Sequence, residues 1–298
     1  MLSAAEGILL FVATSEAVLG VLVNAFIALV NCMDCARNKK LSKIGFILTG
    51  LATSRIGLIW IIILQGYVQL FVPHMLTSGS LTENITYLWV LINHLSVWFA
   101  TNLNILYFLK IPNFSHSLFL CLRRRIRSVF IFLLGCLLTS WLLSFPQMIK
   151  IVHNRKMFQG NTSWIHHWKN NFLIDQGLTN LGILFFSMVA LITCFLLIIF
   201  LWRHNRRMQL DVSGFRELNT EVHLKAMKVL ISFMALFILH IVGIAIEVLC
   251  FTLPRNQLLF IGGLTATCLY PCGHSIVLIL GNNQLKQASL KVLQHLKC

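Results

Sequence analysis

The sequence predicts an all-α membrane protein, a bundle of seven transmembrane helices with an extracellular N-terminus and a cytoplasmic C-terminus. Its composition supports this class. Of its 298 residues, 57% are hydrophobic and 11% are charged, with a mean hydropathy of +0.80, whereas about a quarter of the residues in a soluble domain are charged. In addition, seven apolar segments are each long enough to cross a hydrocarbon core about 30 Å thick.

The predicted spans follow one another closely, so the chain is expected to form a single domain over 1–298. They run approximately over 7–31, 44–71, 85–110, 128–149, 174–202, 227–250 and 258–281. The first apolar run lacks a basic segment and a cleavage site, which favours a retained helix over a signal peptide. In the tail, 284–298, leucines are interspersed with lysines, as is typical of a short amphipathic helix on the inner leaflet.

The distribution of basic residues along the chain predicts the orientation. Cytoplasmic loops of membrane proteins are enriched in lysine and arginine, so the basic loops and the basic tail are placed inside and the N-terminus outside. The basic loops are 32–43, 112–127 and 203–226. A glycosylation sequon at Asn161 then falls in an outer loop. Of two further sequons, the one at Asn84 lies close to the membrane, and the one at Asn113 lies in the cytoplasm, where it should stay unmodified.

Several function classes are disfavoured. The net charge of +15 comes from short basic runs between apolar segments, so nucleic-acid binding is not expected. Cys32 and Cys35 form only half of a zinc motif, and no catalytic motif is found, so neither a metal, a cofactor nor an enzymatic activity is expected. A small transporter would show inverted repeats or broken helices, and it remains a less favoured alternative.

The third span is too polar to be a plain lipid-facing anchor. Polar side chains in lipid are costly unless they face protein or water, so this helix is expected at the centre of the bundle, with its outer half forming a pocket wall. Its polar residues are Asn93, His94, Ser96, Thr101, Asn102 and Asn104.

Arg55 lies about one-third of the way into the second span, where a charge is costly. We expect it to pair with Asn24 of the first span and with the polar inner half of the seventh. The alternative is that its side chain extends to the inner membrane interface.

The sixth and seventh spans each carry a local signal. His240, Ile244 and Glu247 are spaced i, i+4 and i+7, which places them on one face of the sixth helix. Pro271 in the seventh span removes a backbone hydrogen bond and favours a kink.

Six stretches of the chain form a recognisable series. In chain order they are LTGLATSR, WFATNLNILYFLKI, NFSHSLFLCLR, LWRHNRRMQ, GFRELNTEVHLKAMKVLISF and HSIVLILGNNQLKQASLKVL. Together they resemble the type 2 (bitter) taste receptors, a group of G-protein-coupled receptors. The rhodopsin-like Asp-Arg-Tyr and Asn-Pro-x-x-Tyr motifs are absent, which fits this family. A vomeronasal-type chemoreceptor is the nearest alternative, and the second and last stretches speak against it.

The resemblance implies a multi-pass receptor of the plasma membrane that binds small, mainly apolar bitter agonists and activates a gustducin-like heterotrimeric G protein. The agonist pocket implied in the outer half of the bundle has as candidates Trp89, Asn93, His94, His240, Ile244, Glu247, Leu264 and Thr267. The candidates for a structural and activation network are Asn24, Arg55, Tyr107, His274 and Ser275. The candidates for G-protein contact at the inner helix ends are Lys110, Arg203, Arg206, Lys225 and Lys228.

Overall fold

The structure, a computed structural model, describes residues 3–39, 42–72, 80–110, 124–157, 174–210, 217–252 and 256–295. Within these ranges the chain is helical almost throughout, and a short helical segment, 174–179, precedes the fifth long helix. The long helices are α1 (Ala4–Asn38), α2 (Lys43–Phe71), α3 (Ser80–Lys110), α4 (Ile126–Met157), α5 (Leu181–Leu210), α6 (Glu217–Thr252), α7 (Gln257–Gly281) and α8 (Asn283–His295).

The surface of the bundle is suited to lipid. Six helices are long and apolar enough to cross a membrane, namely α1, α2, α4, α5, α6 and α7. Large apolar side chains such as Phe11, Trp60, Phe132 and Met188 are more than half exposed. Such a surface is unusual for a monomer in water but is solvated by hydrocarbon. The structure is therefore a helical membrane bundle. The polar residues of α3 lower its hydropathy, and it is not among the six.

The helices close into a ring. Around this ring, α1 packs against α2, α2 against α3, α3 against α5, α5 against α6, α6 against α7, and α7 against α1. α4 lies outside the ring, against α3 and α5. Its burial pattern agrees with this position, because its buried residues form a single stripe and its other described side chains are exposed or half-buried. The stripe consists of Leu133, Leu137, Ser140, Ser144, Met148 and Ile151.

In contrast to α4, α3 is enclosed on nearly all sides. Over 93–104 every residue except Leu95 is buried. The Trp98 indole donates to the Leu133 carbonyl of α4 at 3.0 Å, and the Thr101 hydroxyl donates to the Phe186 carbonyl of α5 at 3.0 Å. These side-chain-to-backbone bonds attach α3 to both neighbours and use polar groups that lipid would not satisfy.

Several helices extend beyond the predicted spans. α1 continues to Asn38 instead of ending near 31, α4 continues to Met157 instead of 149, and α6 begins at Glu217 instead of 227. Hydropathy marks only the part of a helix that lies in hydrocarbon, and a polar sequence can continue the same helix beyond it.

Candidate functional site

A buried, unpaired amide on α3 is the first component of the site. Asn93 is 0% exposed, and neither its Nδ2 nor its Oδ1 has a hydrogen-bond partner among the described residues. Leaving a buried polar group unpaired costs about 1–3 kcal/mol, so most buried amides in proteins are paired. The Asn93 amide therefore marks a place where a further partner is expected.

The neighbours of Asn93 show its direction. Ile92 faces α2, with its Cδ1 3.2 Å from the position that a Cβ at Gly57 would take. His94 faces α5, with its Nε2 3.1 Å from the corresponding position at Gly182. Successive residues of an α-helix turn by about 100°, so Asn93 points between these two directions. Since it is buried, it points into the centre of the ring and not into lipid.

A second unpaired group comes from α6. Pro271 of α7 has no backbone N–H, so the carbonyl of Thr267, four residues earlier, lacks its helical partner. Nδ1 of His240 on α6 lies 3.2 Å from that carbonyl oxygen. Because a carbonyl only accepts, Nδ1 carries the proton, and Nε2 of the neutral ring is an acceptor. Nε2 is buried and, within the part of the chain described, has no partner.

α6 and α7 approach each other closely where two glycines meet. A Cβ at Gly243 would lie 2.5 Å from Thr267 Oγ1, 2.8 Å from the Thr267 backbone nitrogen and 3.0 Å from the Gly263 carbonyl oxygen. The crossing allows the Thr267 hydroxyl to donate to Glu247 Oε1 at 2.6 Å. Three of the predicted ligand residues, His240, Glu247 and Thr267, are thus joined by hydrogen bonds.

The other predicted ligand residues face different surroundings. Trp89 precedes Asn93 by one turn and packs against an apolar cluster of α1, α2 and α7. Leu264 belongs to that cluster, and its Cδ2 lies 2.8 Å from the position of a Cβ at Gly66 of α2. His94 is turned towards α4 and α5, so neither Leu264 nor His94 faces the centre beside Asn93. Ile244 is half-buried on α6.

Arg55 is fully buried and joins α2 to α7. Its Nη1 donates to Ser275 Oγ at 2.9 Å, and its Nη2 donates to the Tyr270 hydroxyl at 3.2 Å and to Nδ1 of His274. The guanidinium carbon also lies 5.0 Å from the centroid of the Tyr270 ring. No carboxylate of the described ranges pairs with Arg55, so neutral groups alone hold its charge.

The same network includes α1. Ser275 Oγ donates to Asn24 Oδ1 at 2.8 Å, and Asn24 Nδ2 donates to the Pro271 carbonyl at 3.2 Å. Four of the five predicted network residues, Asn24, Arg55, His274 and Ser275, are therefore joined in one series of hydrogen bonds. The fifth, Tyr107, packs against the larger hydrophobic core of the bundle, and it is not among the partners of Arg55.

An aromatic face on α6 links the two polar groups. Phe233 lies 4.6 Å from His274, Phe237 lies 5.3 Å from Tyr270, and His240 lies 4.9 Å from Tyr270, all between ring centroids. Phe233 and Phe237 were not among the predicted site residues. The signal was present, because they precede His240 at the spacing i, i+4, i+7 that places side chains on one helix face.

The predicted G-protein contacts are only partly described. Arg203 and Arg206 are exposed on the last turns of α5, with the Arg206 guanidinium 5.4 Å from the ring centroid of Trp202. Lys228 is exposed on α6. The side chains of the remaining two candidates, Lys110 and Lys225, lie outside the part that the structure describes. The predicted glycosylation site, Asn161, lies wholly outside the described residues.

Comparison with known proteins places this arrangement in a family. The family model of the taste receptor protein (TAS2R) matches residues 1–297. The chain is 74% identical over 298 residues to taste receptor type 2 member 107 of Mus musculus, and the alignment covers 100% of this chain and 97% of the relative. The Rattus norvegicus protein of that name gives the same values. Taste receptor type 2 member 10 of Pongo pygmaeus is 57% identical over 299 residues, covering 100% of this chain and 96% of the relative.

Proposed function

The chain belongs to the taste receptor type 2 family, and we propose that small, mainly apolar agonists bind inside its ring of helices, between Asn93 of α3 and His240 of α6. It is a bitter taste receptor, a multi-pass G-protein-coupled receptor of the plasma membrane. The family consists of receptors and not of enzymes, and its members respond to small molecules.

The unpaired amide of Asn93 is the observation that supports this binding site most directly. An amide offers two donor hydrogens and an acceptor oxygen, so an agonist with a hydroxyl or carbonyl group would satisfy it. Trp89 lies one turn away on α3 and is only half-buried against the cluster of α1, α2 and α7, so part of its ring is left for the apolar body of the ligand.

His240 adds a requirement for the ligand. Its Nε2 is an acceptor, because Nδ1 is used by the Thr267 carbonyl, so the matching agonist group is a hydrogen-bond donor. Glu247 is engaged by the Thr267 hydroxyl. The unpaired groups that face the central site, Asn93 and His240, carry no fixed charge, which favours uncharged agonists. A site with few polar groups and a large apolar surface suits permissive recognition.

We further propose that α3 also crosses the membrane, which brings the number of spans to seven, and that the N-terminus lies outside. α3 occupies the ring position between α2 and α5, both of which are apolar enough to cross. Its polar side chains are buried against protein, so they do not oppose insertion into lipid. The basic loops 32–43, 112–127 and 203–226 and the tail then lie in the cytoplasm.

Signalling would follow from a shift between two states of the bundle. An agonist shifts the equilibrium only by its different affinity for the two states. Because His240 shares the aromatic face of α6 with Phe233 and Phe237, a ligand bound to His240 would bias how α6 packs against α7. A gustducin-like G protein would then insert between the inner ends of α3, α5 and α6, beside Arg203, Arg206 and Lys228.

A calcium assay in cells with a chimeric G-protein α subunit tests the agonist site. In a screen against a broad bitter panel, Asn93→Ala and Trp89→Ala are expected to raise the half-maximal concentration of active compounds about tenfold, as the loss of one hydrogen bond or aromatic contact implies. Leu88→Ala is the matched control, because Leu88 precedes Trp89 but is 49% exposed. Unchanged responses of both variants, at normal surface levels, would reject the site.

Asn93→Leu separates binding from folding. Leucine has nearly the shape of asparagine but removes the unpaired polar atoms, so the melting temperature of the purified receptor should stay equal or rise, while the agonist response falls. A clear loss of stability would instead show that the amide has a structural partner.

A further inference from the structure

A second cleft lies outside the ring, between α4 and α5. It has a volume of about 740 Å³. Most of its wall is apolar and belongs to the lipid-facing surface, including Phe132, Leu143, Leu181, Phe185 and Met188, each of which is more than two-fifths exposed. None of the described residues that line it is charged. The cleft is therefore open to molecules dissolved in the bilayer and unsuited to ions.

Unpaired polar atoms lie at its floor. Ser140 of α4 and Gly182 of α5 line the cleft. The point that a Cβ at Gly182 would occupy is 1.9 Å from Ser140 Oγ and 3.1 Å from His94 Nε2. Ser140 is 8% exposed and His94 0%. Neither Ser140 Oγ nor His94 Nε2 has a hydrogen-bond partner in the described ranges.

The other two hydroxyl groups that line the cleft, those of Thr139 and Ser144, already donate hydrogen bonds to backbone carbonyls. The Thr139 hydroxyl donates to the Gly135 carbonyl at 2.9 Å, and the Ser144 hydroxyl donates to the Thr179 carbonyl at 2.9 Å. Helix backbone carbonyls commonly satisfy serine and threonine in this way. Of the three hydroxyl groups, only that of Ser140 has no hydrogen-bond partner among the described residues, and Nε2 of the neighbouring His94 has none either.

We propose that this cleft binds a membrane-dissolved alcohol, a small molecule with an apolar body and a single hydroxyl group, whose hydroxyl bonds to Ser140 and His94. A hydroxyl both donates and accepts, as do the serine hydroxyl and the neutral imidazole, so one group can satisfy both side chains. The apolar body replaces lipid against α4 and α5. This site is separate from the central one, since His94 is turned away from the direction of Asn93.

Gly182 makes the polar floor accessible. Any side chain at this position would occupy the point next to Ser140 Oγ and His94 Nε2 and would cover both atoms. Ser140 Oγ is itself covered while the cleft is empty, so ligand binding includes a rotation of the Ser140 side chain towards the cleft. Rotation between staggered serine rotamers has a low cost.

Photolabelling of the full-length receptor in membranes tests the proposal. The probe is a diazirine- and alkyne-tagged monoterpene alcohol, and its control is the same hydrocarbon skeleton without the hydroxyl. Labelled peptides of α4 and α5 are quantified by mass spectrometry. The alcohol probe is expected to label these peptides saturably, to be displaced by unlabelled alcohol, and to exceed the hydrocarbon probe about three- to tenfold, the effect of one or two net hydrogen bonds.

Substitutions at Ser140 and Thr139 test whether the Ser140 hydroxyl binds the probe. Ser140→Ala should lower labelling by the alcohol probe about three- to tenfold. Thr139→Val is the matched control, because it removes a hydroxyl of the same cleft that is already bonded, and it should leave labelling unchanged. Asn93→Leu should also leave it unchanged, which keeps this test independent of the central site. Equal labelling by the two probes in the natural protein, or equal effects of Ser140→Ala and Thr139→Val, would overturn the proposal.

Discussion

At the scale of single residues, the buried polar groups of this receptor fall into two kinds. Arg55, Asn24 and Ser275 are linked to one another by hydrogen bonds within the fold, and among the described residues only Nε of Arg55 is left without a partner in this set. Asn93 and His240 retain unpaired atoms. Buried polar groups that bond to one another rigidify a structure, whereas a side chain with no hydrogen bond at its buried polar end is tolerated only where something else compensates for it. The first set therefore suits a structural role and the second a binding role.

The Arg55 network provides a stability prediction. Lysine carries the same charge but has a single ammonium, which cannot reach Ser275 and Tyr270 at the same time in the geometry of a guanidinium. Arg55→Lys should therefore destabilise the purified receptor by about 2–4 kcal/mol, seen as a lower melting temperature and less receptor at the cell surface.

A double-mutant cycle with Ser275→Ala tests whether the contact itself is responsible. The two substitutions should be clearly less than additive, because they remove the same hydrogen bond. Thr53→Val is the control, since Thr53 is an exposed residue of α2 that bonds only to its own helix. Strict additivity, or full stability of Arg55→Lys, would contradict the assignment.

At the scale of helices, the crossing of α6 and α7 sets the position of the site. Gly243 and Gly263 allow the two backbones to approach, as small residues do in membrane helix pairs. The approach is what brings His240 to the Thr267 carbonyl and Glu247 to the Thr267 hydroxyl. The hydrogen bonds from His240 and to Glu247 thus depend on Gly243 and Gly263, which have no side chain to take part in them.

Gly243→Ala should disturb this crossing. The added Cβ would meet backbone atoms of Thr267 and Gly263, which cannot move away as a flexible side chain can. Overpacking of this kind costs about 1–3 kcal/mol, so the melting temperature and the agonist response should both fall.

The neighbouring glycine of α7 supplies the comparison. A Cβ at Gly262 would have nothing within 4 Å, so Gly262→Ala should be neutral or should stabilise by about 0.5–1 kcal/mol through helix propensity. Similar melting temperatures for the Gly243→Ala and Gly262→Ala receptors would mean that the helices can separate without cost.

At the scale of the whole molecule, the ring and the charge pattern together favour one orientation in the membrane. The three basic loops together carry more lysine and arginine than the outer loops, whose basic residues are Lys150, Arg155, Lys156, Lys169 and Arg255. In addition, α3 completes the ring between two helices that are apolar enough to cross. An arrangement in which α3 stayed outside the membrane would break the contacts of α2 and α5 with it.

The orientation can be tested in intact cells. An epitope tag placed before Met1 should be accessible to antibody without permeabilisation, and a tag after Cys298 should not. Endoglycosidase should increase the mobility of the natural protein, and Asn161→Gln should abolish the shift, while Asn113→Gln should not. An accessible C-terminal tag, or loss of the shift in Asn113→Gln, would contradict the proposed topology.

The candidate site shows how far the sequence alone leads. The pattern of polar residues in apolar spans is enough to mark Asn93, His240 and Arg55 as candidates. It also grouped His94 and Leu264 with Asn93, although the structure turns them towards α4 and α5 and towards α2. Periodicity defines how side chains are rotated relative to one another within a helix, but it does not say how that helix is rotated against its neighbours.

The membrane class and the family follow from the chain alone, because apolar length, basic loops and motifs are local properties that folding does not alter. Other features needed the three-dimensional arrangement. Ser140, Gly182 and His94 belong to three different helices, and no spacing along the chain connects them. Pro271 is a second example. The sequence shows that it leaves the Thr267 carbonyl without its helical partner, but only the packing of α6 against α7 shows that His240 bonds to this carbonyl. Contacts between distant residues arise from packing, which depends on the rotation and close approach of whole helices.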